Sequence, residues 1–422
     1  MKTKDRFFFI DALRAFIIFL VVADHVAIAY ALHFGDMWFV KDVNRSVIYD
    51  VIHLLIDAFH MPILFLLAGF FTLSSVQRRG VGNFMKERWI RLGIPFVLGV
   101  ILLCPPQTYG KYLQQGGTLG YWNYLIDVFF KYDWYASPWG NFDYPAFSGD
   151  LSSSGFWFLY FLMLLSIIAV LIWRFAPFVI RWIGTISKWL VDHPIPGYIA
   201  FSLVSAVLIS YMELFWGSKF WIGFWDIFYC RANLLPLFCL FFVFGIGLRE
   251  AGYLKETAWL NRLANQWIPW TAWTLALCIA YSWYCLAYYV DGAYNLDIVI
   301  HFHQGGDWAS AWPILGEAGP LIWVRTTLHG FLYTAETITL VAIFYKFFNK
   351  GKRFWVIAGA VSYGVFIFHE PLCVWAVYFL AEASTPTWIK YLLVTFGGFT
   401  VSWLFVHHVI FKTHLGRRII GS

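Results

Sequence analysis

Ten apolar runs, each near the length that crosses a bilayer, are spread along the 422 residues and leave little chain from which to build a water-soluble fold. They lie at roughly 7–32, 51–75, 93–109, 152–173, 197–215, 231–248, 268–290, 326–348, 354–379 and 389–411. A transmembrane helix needs about 20 mostly apolar residues. Charged residues make up only 13% of the chain and apolar residues 60%, whereas a soluble domain carries about 25% charge. A water-facing surface cannot be assembled from so few polar groups, so lipid must act as solvent for most of the exterior. The expectation is an all-α polytopic integral membrane protein with about ten transmembrane helices, forming a single domain over 1–422. The 24 Trp and 24 Tyr suit the membrane–water interface, where an apolar ring carries a polar tip.

Basic residues test the topology. Of the 30 Lys and Arg, 21 fall on the two ends and the alternate connections, 8 fall on the opposite side, and Arg14 lies within the first run. Positive charge accumulates on the cytoplasmic side, so both termini are expected in the cytoplasm. The net charge of +6 is dispersed in small clusters between apolar runs, which is a topology signal and gives no nucleic-acid patch. Lys2, Lys4 and Arg6 ahead of an apolar stretch mimic a signal peptide. That stretch is too long for one and carries Asp11, Arg14, Asp24 and His25, so it reads as a retained helix. The six cysteines form no CxxC pair and fall mostly within apolar runs. They read as small buried apolar residues, with no disulfide framework or zinc site.

Ionisable groups inside a bilayer are costly and mark functional positions. Arg14 and His25 are 11 residues apart. At 100° per residue that is about 20° from three whole turns, so both fall on one helix face, about 16 Å apart along the axis. They are expected to face one cavity, with Asp11 able to pair with Arg14 at i, i+3. In the second run His53, Asp57 and His60 follow i, i+4, i+7, one stripe of a continuous helix, with His60 at a depth matching His25. Such a stripe can ligate a metal or form a hydrogen-bond network that orients a catalytic histidine. No metal is expected. Arg88 and Arg91 stand at the cytoplasmic edge of the third run, where arginine forks suit phosphate and also satisfy the positive-inside pattern. Glu336 and the His369-Glu370-Pro371 step add ionisable groups to later runs. The outer connections, about 110–151 and 291–325, carry Tyr132, Asp133, Trp134 and Trp139, and Asp291, Asp297, His301, His303, Asp307 and Trp308. They fit either an interfacial aromatic belt or a sugar-binding surface.

Taken in order, these pieces resemble the membrane-bound acyltransferase family 3. The Arg–ten residues–His spacing is Arg14 to His25. The second-helix pattern is Phe59-His60-Met61-Pro62 with Ala68-Gly69-Phe70-Phe71. The third-helix pattern is Arg88, Arg91, Leu92 and Pro95. Trp157-Phe158-Leu159 and the His369-x-Pro371 ending follow. The form of the third-helix and final motifs is most similar to the osmoregulated periplasmic glucan succinyltransferase subgroup. Where the family often has a histidine before Leu-Trp-Phe-Leu, this chain has Gly155-Phe156. No appended esterase-like domain is expected.

The resemblance implies an acyl-CoA donor (acetyl-CoA or succinyl-CoA), an extracytoplasmic glycan or other hydroxyl acceptor, and a bacterial inner membrane. It implies that Arg14, Arg88 and Arg91 bind the donor. His25 is the base, with Arg14, Asp57 and Glu370 beside it, and His60, His369 and Trp157 lie around the acceptor. Asp24 neighbours His25 in sequence but points about 100° away, so Asp57 and Glu370 are the candidates to orient its imidazole. Direct attack by the acceptor and a covalent acyl-histidine are both open routes. A secondary transporter is the other class compatible with ten helices bearing intramembrane Asp, Glu, His and Arg, although such folds carry internal repeats and paired broken helices.

Overall fold

The computed structural model describes residues 7–130, 153–216, 221–224, 228–253, 257–288 and 308–421. The outer-connection residues from Tyr132 to Asp143 and from Asp291 to Asp307 lie outside these, as do the side chains of Trp308 and Trp312.

The apolar runs form helices. In chain order they begin with α1 (Phe8–Tyr30), α2 (Val47–Asp57) and α3 (His60–Arg79). The span around the third run comprises α4 (Val81–Arg88), a π-helical turn over Trp89–Gly93, α5 (Ile94–Leu102) and α6 (Cys104–Gln114). Then come α7 (Trp157–Phe175), α8 (Pro177–Asp192), α9 (Pro194–Trp216) and an antiparallel hairpin of β1 (Trp221–Phe224) and β2 (Phe228–Arg231). The chain continues through α10 (Leu235–Glu250), α11 (Ala258–Asn265), α12 (Trp267–Tyr288), α13 (Trp308–Phe348), α14 (Arg353–Leu380), α15 (Thr387–His408) and α16 (His414–Ile420). The chain is an all-α polytopic integral membrane protein. Among the described residues, eight helices are long and apolar enough to span a bilayer, and these coincide with eight of the ten runs. The runs at 231–248 and 268–290 form α10, of 16 residues, and α12, of 22, outside that set.

The connection after α7 is more ordered than its basic residues alone imply. It is α8, amphipathic, with Phe178, Trp182, Ile186 and Trp189 exposed on one face and Ile180, Gly184 and Ser187 buried on the other. An apolar exposed stripe beside Arg181 and Lys188 is the pattern of a helix lying in a membrane interface.

α1 is the central helix, packed by α2, α3, α13, α14 and α15. The main apolar core gathers around it from α3, α7, α10 and α14. α3 and α10 approach most closely at two glycines. A Cβ on Gly69 would collide with the Phe242 carbonyl, and one on Gly245 with the Leu66 carbonyl. With little hydrophobic gain from helix association in lipid, such close backbone contact supplies the packing attraction. The five described cysteines, Cys104, Cys239, Cys278, Cys285 and Cys373, are free thiols.

One sequence expectation fails here. His53, Asp57 and His60 do not share one continuous helix, because the chain breaks between Asp57 and His60. Pro62 accounts for it: the proline has no N–H for the Ala58 carbonyl, and its ring clashes with that carbonyl in a helix. At the break the Ile56 carbonyl accepts from the Phe59 N–H at 3.3 Å and from the His60 ring through Nδ1 at 2.8 Å.

Candidate active site

α1 delivers its polar residues to two cavities. Arg14, Ile18, Val21 and His25 are spaced as one helix face. Arg14 and Ile18 line a cavity of 310 Å³ shared with Arg88, Arg91 and Tyr363. Val21 and His25 line a second, of 100 Å³, shared with His53, Asp57, His60, Trp157 and Glu370. The shared face is therefore as the spacing implies, but the single cavity is not: Arg14 and His25 open into separate chambers. Ile18 and Val21 sit between them on α1, and Phe366 of α14 lines both cavities.

At the Arg14 end, Arg88 donates from Nη2 to Thr72 Oγ1 at 3.2 Å and stacks 5.0 Å from the Phe84 ring centre. Arg91 pairs through Nε with Glu87 at 3.2 Å. Glu87 also pairs with Arg79, and the Tyr363 hydroxyl donates to the Arg91 carbonyl. Arg91 lies on the π-helical turn, a feature often placed at functional positions. Three guanidinium groups thus converge on the larger cavity.

At the His25 end the proton positions follow from the partners. His369 Nδ1 contacts the carbonyls of Phe366 and Val365 at 2.8 and 3.1 Å. Carbonyls only accept, so this nitrogen carries the proton, and neutral His369 presents a lone pair at Nε2. That lone pair faces His25 Nδ1 at 3.0 Å, and Glu370 Oε1 faces the same nitrogen at 3.3 Å. Both neighbours accept, so His25 carries its proton at Nδ1 and keeps its lone pair at Nε2. The ring is further held by Trp38, 5.0 Å away, and by the His369 ring, stacked at 5.1 Å. Glu370 is anchored in turn: Ser154 Oγ donates to its Oε2 at 2.7 Å. Ser154 has a φ of 45°, a left-handed backbone rare outside glycine. A Cβ on the next residue, Gly155, would collide with Glu370 Oε1.

The other acidic groups are committed elsewhere. Asp24 accepts from His53 Nδ1 at 2.8 Å and lines the His25 cavity beside Asp57 and His60. Asp57 pairs with Arg231 at 2.5 Å. Of the two acids considered as partners for His25, Glu370 is the one in contact. The Asp57–Arg231 pair is partly open, its side chains 20% and 16% exposed, and it borders the His25 cavity. Trp157 stacks on Phe238 at 5.5 Å along the same wall. Glu336 lies apart from both cavities, 3.6 Å from Cys278 Sγ.

Two clusters bring potential metal ligands within 4.8 Å: His25, His369 and Glu370, and Asp24, Asp57 and His60. In the first, the 3.0 Å between the two imidazole nitrogens is a hydrogen-bond separation. Two ligands of one tetrahedral zinc stand about 3.4 Å apart, from metal–nitrogen bonds of about 2.1 Å.

Sequence reasoning missed Arg231, Ser154 and Trp38. Arg231 counted only as an outer basic residue, and Ser154 follows two further serines just before the Trp157 motif. The break that turns Asp57 and His60 into the cavity was signalled by Pro62.

The chain is 28% identical over 103 residues to "Glucans biosynthesis protein C" from Escherichia coli (strain K12), covering 24% of this chain and 26% of that protein. The same extent and identity hold for the protein of that name from Escherichia coli O1:K1 / APEC. The alignment thus spans about a quarter of these curated relatives. No solved structure matches. The sequence profile described as "Acyltransferase domain" matches residues 7–407, and on that near-complete match the chain belongs to the membrane-bound acyltransferase family 3.

Proposed function

We propose that this protein transfers an acyl group, of acetyl or succinyl type, from cytoplasmic acyl-CoA to a hydroxyl of an extracytoplasmic glycan. One observation carries the reading. A single α1 face joins a cavity holding Arg14, Arg88 and Arg91 to one where His25 Nε2 is left as a lone pair by contacts at Nδ1. The name of the partial relatives, which refers to glucans, supports a sugar acceptor.

In this reading both termini are cytoplasmic and the donor enters from that side. Its phosphates meet the three arginines, a donor set suited to phosphate oxygens. The pantetheine arm runs along α1 and covers the roughly 16 Å of helix rise from Arg14 to His25. The acceptor hydroxyl lies at His25 Nε2, among Trp157, His60 and the Asp57–Arg231 pair. Aromatic faces and a carboxylate–guanidinium pair suit a sugar ring and its hydroxyls. As the hydroxyl oxygen attacks the thioester carbon, His25 takes its proton. The C–S bond then breaks and the proton passes to the departing thiolate. Glu370 and His369 accept from Nδ1 throughout, and Glu370 offsets the positive charge that His25 gains.

The test is mass spectrometry of envelope glycans from three strains: gene deleted, wild type restored, and His25→Ala restored. An acyl mass added only by the wild type supports the reading and identifies the acyl group. Acylation by the His25→Ala strain at the wild-type level refutes the base assignment.

A further inference from the structure

The two cavities meet at one side chain. Among the described residues, Phe366 alone lines both the arginine cavity and the histidine cavity. Its ring is 7% exposed, packs edge-on against Phe158 at 5.7 Å, and stands 6.2 Å from the His369 ring. On α14 it sits one turn from Tyr363, which lines the arginine cavity, and one turn from Glu370, which lines the other. It shares the arginine cavity with Ile18 of α1 and the histidine cavity with Val21, so α1 passes from one cavity to the other over the same stretch.

Resting on the reading above, we propose that Phe366 is the seal between the donor and acceptor cavities, displaced only when the thioester arm enters. An enzyme fed from opposite sides of a bilayer needs wet cavities on both faces. Joined, they form a pore that leaks protons. A bulky apolar side chain at the narrowest point closes such a path by excluding water. The same ring protects the donor. Water is a nucleophile that a base at His25 can also activate. In that side reaction the water oxygen bonds to the acyl carbon, the C–S bond breaks, and water's proton passes to the thiolate, giving free acid and thiol. A ring over the junction holds acceptor-side water away from a donor still docked on the arginines.

The experiment uses the purified full chain in proteoliposomes loaded with a pH-sensitive dye, as wild type, Phe366→Ala and Phe366→Leu. Proton leak is read after a pH step. Thiol release from acetyl-CoA and succinyl-CoA is read without acceptor. Phe366→Ala is expected to raise both on the order of tenfold, with Phe366→Leu between it and wild type. Elution volume and thermal midpoint report folding, and Phe366→Leu keeps the test decisive if the alanine variant does not fold. Wild-type leak in either folded variant overturns the seal. Raised leak with unchanged thiol release overturns the protection of the donor. The leak needs no acyl chemistry: a wild-type protein that never turns over donor defeats the proposed function, while the leak still judges Phe366.

Discussion

Replacing Glu370 by Gln keeps its volume and removes its charge. The amide has a clear way to settle. Its NH2 turns to the Ser154 oxygen, which accepts, and its carbonyl turns to His25 Nδ1, so the anchor 2.7 Å away is preserved. Lost is the negative charge opposite an imidazole that becomes positive during transfer. A hydrogen bond to a charged group contributes about 1.5–3 kcal/mol. Here the His25–Glu370 separation is 3.3 Å, longer than the 2.7–2.9 Å typical of charge-assisted pairs, so the lower half of that range applies. At about 1.4 kcal/mol per factor of ten, kcat should fall about 10- to 40-fold. His369 still accepts from Nδ1 at 3.0 Å, so orientation survives and the loss stays below the 10²- to 10⁴-fold of removing the base itself. The assay is thiol release by purified protein with acetyl-CoA or succinyl-CoA and a soluble glucan oligosaccharide, at saturating and limiting donor. The charge is used in the transition state, so the loss belongs in kcat. A kcat within twofold of wild type, or a change confined to donor KM, refutes the role given to Glu370.

Other variants test other links. Gly155→Ala drives a methyl group into Glu370 Oε1 and should lower kcat at least as far as Glu370→Gln with an unchanged thermal midpoint; wild-type kcat would contradict the packing argument. Arg88→Gln with Arg91→Gln should raise donor KM about tenfold or more while leaving kcat near wild type, because phosphate contacts bind ground and transition states alike; unchanged KM would remove these arginines from the donor site. Lys390→Met leaves Asp42 charged and buried, since both side chains are 0% exposed and pair at 2.7 Å. Loss of one partner of such a pair costs about 3–5 kcal/mol, visible as a lower thermal midpoint in detergent. Adding Asp42→Asn should recover at least half, and additive losses would show that the pair does not act as a unit.

Legibility in the sequence followed interaction range. Apolar run length and basic-residue placement are local properties, so eight of the ten expected spans appear as helices of sufficient length. The shared face of Arg14 and His25 follows from the period of one helix, and so does the offset of Asp24 from His25, which leaves Asp24 to meet His53. The same rule failed where a helix ended. The His53–Asp57–His60 stripe assumed an unbroken span, while Pro62 divides it. The amphipathic α8 was read as a connection because the length rule for spanning helices does not register a helix lying along the membrane.

By itself, the sequence determined that lipid would be the solvent, that the chain would be helical, and that α1 would carry Arg14 and His25 on one side. These are consequences of composition and of a 3.6-residue turn, which need no neighbour. Tertiary structure alone decided the partners: Glu370 rather than Asp57 at His25, Arg231 at Asp57, and Ser154 at Glu370. These contacts join residues 345, 174 and 216 positions apart, and their formation depends on how α14, the hairpin and the start of α7 pack around α1. No periodicity along one helix encodes that arrangement, nor the meeting of two cavities at Phe366.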